Sequence, residues 1–150
     1  MEIIYKKMRV IFVTSALILF LVFLENAEGK MNFQQLENMA KGPKKSCQKS
    51  TECPQELLEA GKNGQFSPVR EFQCFFKCIF DKMKVMKNDQ ISWPAMNQQL
   101  ELLLNPELAE RFAVAIEACQ SKAISEDMCE ATYQFAVCLW EHDSSLYFLS

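Results

Sequence analysis

Seven cysteines, at positions 47, 53, 74, 78, 119, 129 and 138, are the residues of this 150-residue chain best equipped for chemistry. Sulfur at such positions can bind metal, attack a substrate or form disulfides. Zinc asks for Cys-x-x-Cys or Cys/His ligand pairs, but the closest cysteines here have three, five, eight and nine residues between them. A metal centre is therefore not expected, and no other cofactor motif is present. Nucleophilic hydrolases need a histidine held inside the fold beside its partner. The chain has one, His142, and it follows the last cysteine. There is no P-loop, dinucleotide fingerprint or nucleophile elbow, so the chain does not read as an enzyme.

Disulfides remain, and they require an oxidising compartment. The N-terminus supplies the route. Lys6, Lys7 and Arg9 precede an uncharged apolar run of 15 residues, Val10 to Leu24, and Ala27-Glu28-Gly29 then offers small residues for cleavage. These features predict a signal peptide over 1–29, a mature domain over 30–150, and secretion to the extracellular space. The run is short for a span of about 20 residues, and no other segment approaches that length. Residues 30–150 carry 13 Lys and Arg against 16 Asp and Glu. Neither sign forms a block able to track a phosphate backbone, so nucleic acid is not an expected partner.

The elements that must position the cysteines read as helices. Asn32 can cap a first helix running toward Ser46, with Phe33, Leu36, Met39 and Ala40 on one face, and Gly42-Pro43 should fray or bend its end. Pro54 opens a short second helix, Gln55 to Ala60, closed by Gly61 and Gly64. Ser67-Pro68 is a cap-plus-proline start for a third helix, Val69 to about Lys87. On it Phe72, Phe75, Phe76, Ile79, Phe80 and Met83 recur at the spacing of one buried face. Ser92 caps a fourth through Leu104, carrying Trp93, Met96, Leu100 and Leu103. Asn105-Pro106 starts a fifth to about Ser121, with Leu108, Phe112, Ala115 and Ile116 inward. Ser125 or Asp127 starts a sixth that reaches Trp140 or His142. The expected fold class is all-α: one domain of about six helices and an apolar tail.

Helix phase constrains where the sulfurs point. Cys74 and Cys78 emerge on one side of the third helix, one turn apart, and each should seek a different partner. Cys129 and Cys138 are nine apart, about 900° of rotation at the helical period, and so face opposite sides of the sixth helix. That helix should be bridged to the third on one side and the fifth on the other. Six cysteines still allow 15 pairings, and seven with one left over allow 105.

Without Cys53 the pattern reads Cys47-x26-Cys74-x3-Cys78-x40-Cys119-x9-Cys129-x8-Cys138. It resembles the six-cysteine signature of insect odorant-binding proteins, the pheromone and general odorant-binding proteins, over nearly the whole mature chain. The resemblance implies three disulfides, Cys47–Cys78, Cys74–Cys129 and Cys119–Cys138, closed around an apolar cavity. Cys53 departs from the pattern. It reads as a free, partly buried thiol, as a substitute for Cys47, or as an intermolecular disulfide that would make a homodimer.

The resemblance also implies a secreted carrier that takes a small apolar ligand, such as an odorant, a pheromone or a fatty alcohol, ester or aldehyde, to a chemosensory receptor. A carrier or scavenger in a non-olfactory fluid, or a partner-binding protein on the same fold, remains open beside it. The expected lining comprises Phe76 and Phe80 in the third helix, Trp93, Met96 and Leu100 in the fourth, Phe112, Ala115 and Ile116 in the fifth, and Phe135 and Leu139 in the sixth. Met83, Met86, Met96 and Met128 would supply soft, adaptable surface. The ending Asp143-Ser144-Ser145-Leu146-Tyr147-Phe148-Leu149 resembles the Asp-Pro-x-x-Tyr-Phe-Leu of members whose C-terminus folds back as a pocket wall, with Ser144 where proline is common. Tyr147, Phe148 and Leu149 thus join the expected lining. Acidification would then release ligand by protonating His142 or a carboxylate, loosening the tail and the Ser150 carboxylate.

Overall fold

The computed structural model describes residues 29–149. The expected signal peptide, apart from its last residue, and the Ser150 carboxylate lie outside them. The described residues contain six α-helices: α1 (Phe33–Thr51), α2 (Gln55–Lys62), α3 (Arg70–Lys82), α4 (Trp93–Leu103), α5 (Pro106–Gln120) and α6 (Met128–His142). A two-stranded hairpin, β1 (Met86–Lys87) and β2 (Gln90–Ile91), joins α3 to α4, and a 3-10 turn, Ser144–Leu146, follows α6. The expected all-α fold is present. α6 is the central element, packed on α3 and α5, while α1 lies on α3 and α4 on α5.

Side-chain caps start three of the six helices. Asn32 and Gln35 form a reciprocal capping box, each side chain accepting from the other's backbone N–H at 3.0 and 2.9 Å. Asn105 accepts from Leu108 N at 3.0 Å, ahead of Pro106 at the first position of α5. Asp127 caps α6, accepting from Glu130 N at 2.9 Å. It also takes Arg70 at 2.7 Å, which ties the starts of α3 and α6 together. The Arg70 guanidinium and that N–H hold the Asp127 carboxyl down at about 2.

Four expectations need correction. First, α1 does not end near Ser46 but runs on through Pro43 to Thr51. Pro43 forfeits the bond to the Met39 carbonyl, and Met39, expected inward, is 47% exposed, so water can serve that carbonyl instead. Cys47, fully buried one turn later, keeps the helix docked. Second, Gly61 lies inside α2, which ends at Lys62, and the reversal falls to Gly64 at φ 76°. There the backbone passes beneath Trp140, and a Cβ would stand 2.4 Å from a ring carbon.

Third, α3 starts at Arg70 and ends at Lys82, inside both expected limits, and Ser67 does not cap it. The extended segment before it carries Phe66 among the rings of Phe72, Tyr133, Trp140 and Tyr147, all within 6.4 Å between centroids. After it, Lys84 turns left-handed at φ 57°, and Asn88 and Asp89, at φ 50° and 56°, make the tight turn of the hairpin. Fourth, Leu103 is exposed and Leu104 is buried. The chain leaves α4 there to bridge Met31, with Met31 N–H donating to Leu103 O at 2.8 Å and Asn105 N–H to Met31 O at 3.0 Å.

Three disulfides close the fold: Cys47–Cys78, Cys74–Cys129 and Cys119–Cys138. α6 is thereby bridged to α3 on one side and α5 on the other, as its helical phase requires. Cys53 is a buried free thiol.

Candidate functional site

The interior divides into a filled half and a hollow half. The filled half is aromatic: Phe72 of α3 meets Phe66, Phe75, Phe76 and Tyr133 of α6, and Phe76 meets Phe75 and Tyr133. The hollow half is a small apolar cavity of about 20 Å³. Phe80 and Met83 wall it at the end of α3, Met96 and Leu100 from α4, and Phe112 and Ile116 from α5. Phe135 and Leu139 of α6, with Phe148 and Leu149 of the tail, complete the enclosure. Side chains crowd this space until the continuous void is roughly one water in size. A ligand must therefore displace them to enter. Met83 and Met96, unbranched and with soft sulfurs, are suited to giving way.

Nine of the thirteen residues expected to line the pocket stand on this cavity. The other four do not. Phe76 belongs to the aromatic floor, its ring 4.9 Å from Phe72. Ala115 is fully buried but outside the lining. Tyr147 turns to Phe66, ring against ring at 5.7 Å. Trp93 packs behind Phe135 at 5.2 Å and faces a surface groove with Gln90, Ile91 and Ser125. Of the methionines expected to be soft lining, Met83 and Met96 reach the cavity, Met128 joins the Trp93 groove, and Met86 sits in β1.

The tail does fold back. Leu146, Tyr147, Phe148 and Leu149 are all buried, and Phe148 meets Phe112 edge-on across the cavity at 5.8 Å. Polar contacts at both ends hold it down. At the elbow after α6, Arg111 of α5 donates to Asp143 Oδ2 at 2.5 Å and to Ser145 Oγ at 2.6 Å. Asp143 Oδ1 in turn accepts from Ser145 N at 3.0 Å and Ser145 Oγ at 2.6 Å. The Ser145 hydroxyl and the Arg111 guanidinium hold the Asp143 carboxyl below its ordinary value. At the far end Lys44 Nζ of α1 donates to Phe148 O at 3.0 Å. Burial, with Lys62 nearby, lowers the pKa of Lys44.

Lys44 and Arg111 were invisible in the sequence as functional residues. Each reads there as one more solvated charge, and no periodicity marks a contact made across 104 or 32 residues of chain. His142 is exposed in the last turn of α6. Among the described residues no cluster of His, Cys, Asp and Glu could hold a metal ion, and no helix is long and apolar enough to cross a membrane.

Comparison with known proteins agrees with this geometry. The model of the PBP/GOBP family matches residues 29–142. General odorant-binding protein 72 of Anopheles gambiae is 26% identical over 116 residues, covering 77% of this chain and 96% of the relative. Odorant binding protein 4 of the predator Chrysopa pallens superposes with a TM-score of 0.71 at 31% identity, over 80% of this chain and 99% of that one. Odorant binding protein 5 of Apis mellifera gives 0.70 at 25%, over 79% and 97%. Members are non-enzymatic carriers of small ligands. With a family match across most of its length, the six-cysteine pattern paired as in that family, and an apolar cavity at its centre, this chain belongs to the PBP/GOBP family of odorant-binding proteins.

Proposed function

We propose that the protein is secreted, takes a small hydrophobic odorant or pheromone into the cavity between α3, α4, α5, α6 and the tail, and carries it through extracellular fluid to a receptor. The observation that carries this reading is a wholly apolar cavity, one wall of which is the chain's own folded-back end. A ligand of about a dozen carbons gains roughly 9–10 kcal/mol at ~0.8 per methylene and loses at least ~4 in freedom on binding. The net of at most about 6 kcal/mol corresponds to an affinity of tens of micromolar or weaker, which suits a shuttle that must also let go.

Native mass spectrometry of the delipidated protein, challenged with volatile apolar compounds, tests the reading. Expected are one-to-one complexes that disappear when Phe148 and Leu149 are replaced by serine. No complex with any apolar compound would leave the fold without its cargo. Release on acidification is the part of the reading that runs through the tail. Among the described residues, His142, Asp143, Arg111 and Lys44 are charged or titratable groups beside it, and Tyr147 lies within it. Affinity at pH 7 and pH 5, for the full chain and for one ending at Asp143, isolates the tail's share, and equal pH dependence in both would remove the tail from release.

A further inference from the structure

The cavity wall has a property beyond being apolar: it gives a ligand almost nothing to hydrogen-bond. All ten lining side chains are hydrocarbon or thioether. The Met83 and Met96 sulfurs are weak acceptors, and none of the ten is a donor. The backbone adds little. Eight of the ten belong to helices or a helix end, where the ladder already uses the amides. On the tail, Phe148 O already accepts from Lys44. The buried Tyr147 hydroxyl is turned away among the rings around Phe66 and does not line the cavity, nor does the buried Thr132. The Thr132 hydroxyl is turned onto Met128 O and Cys129 O, 2.8 and 3.1 Å away in its own helix.

A hydroxyl that leaves water for such a space loses its hydrogen bonds and regains none, whereas a hydrocarbon of the same skeleton loses nothing of the kind. We infer that the cavity selects ligands by their lack of hydrogen-bonding groups, so that its ligand class is small hydrocarbons and its discrimination is against the corresponding alcohols. This rests on the proposed carrier reading and narrows it, because alcohols, esters and aldehydes all carry a polar group that the lining cannot serve.

Limonene and perillyl alcohol share one carbon skeleton and differ by a hydroxyl. Equilibrium dialysis of the protein secreted from its full-length reading frame, with bound ligand measured by gas chromatography, compares them directly. Limonene is expected to bind about tenfold tighter or better. A smaller ratio, or tighter binding of the alcohol, overturns the selection and leaves the carrier intact. Binding of neither overturns the carrier reading itself, and the selection with it. Met96→Gln places an amide in the lining and is expected to bring the ratio below tenfold. An unchanged ratio in a folded Met96→Gln protein would mean that a missing partner is not its cause. Should that variant fail to fold, the wild-type ratio decides alone.

Discussion

Cys53 is the residue on which the sequence left three readings open, and its surroundings separate them. The side chain is 3% exposed, and its sulfur lies 3.8 Å from Pro54 O. Cys47 is already bonded to Cys78, so no exchange of roles is needed. Burial, with Glu71 adding like charge, pushes the thiol up to about 11. Since the thiolate is the reactive form, at pH 8 only about one molecule in a thousand carries it. A disulfide between molecules would have to form through a covered, protonated sulfur. The expected outcome is therefore a monomer on a non-reducing gel and no reaction with an aromatic disulfide reagent until denaturant is added, when one thiol per chain appears. Rapid labelling of the native protein, or a dimer removed by Cys53→Ser, would reinstate the intermolecular reading.

At the scale of elements the tail matters most, because Phe148 and Leu149 wall the cavity between the helices. Its clasp is partly exposed, with side chains of Arg111 and Asp143 at 43% and 30%, so the ion pair contributes about 1 kcal/mol or less. Arg111→Gln should therefore speed ligand dissociation by up to about fivefold in stopped-flow displacement, and raise hydrogen exchange in the tail. Arg111→Lys should recover part of the loss. Unchanged dissociation would assign the closure to apolar burial alone. Because the Asp143 pKa is lowered by folding, the clasp is at full strength above the ordinary carboxylate range. It weakens only as the pH falls below that range toward the folded value. At pH 5 it is still closed, so acid release at that pH must run through another group. The tail was legible as a wall through its resemblance to members whose C-terminus folds back, and four apolar residues in a row favour docking over water. The hairpin after α3 was not, although Asn88-Asp89 is a residue pair that tolerates left-handed backbone. The apolar spacing of Met83 and Met86 continued the helical rhythm past the point where Lys84 breaks it. In the same way Leu103 and Leu104 looked alike to a periodicity argument, and only the distant Met31 decides which one turns inward.

For the whole molecule, the disulfides and the cavity are two sides of one balance. A domain that leaves part of its interior unfilled gives up dispersion contacts, and cross-links compensate by restricting the unfolded chain. The three loops differ in length, with sequence separations of 55, 31 and 19 for Cys74–Cys129, Cys47–Cys78 and Cys119–Cys138. The chain-entropy account then ranks their loss at about 4 kcal/mol for the longest and about 3 for the shortest. Paired Cys→Ser variants compared by denaturant unfolding should follow that order, and the reverse order would mean that native packing outweighs loop closure. Binding need not follow the same ranking. α5 and α6 supply Phe112, Ile116, Phe135 and Leu139 to the cavity, and Cys119–Cys138 is the bridge between them. A ligand held at a hundred times its Kd adds about 2.7 kcal/mol to a protein that keeps its site. The variant lacking Cys119–Cys138 should lose much of that increment despite its smaller loss of stability. Retention of the full increment would mean that the helices keep the cavity's shape without their staple.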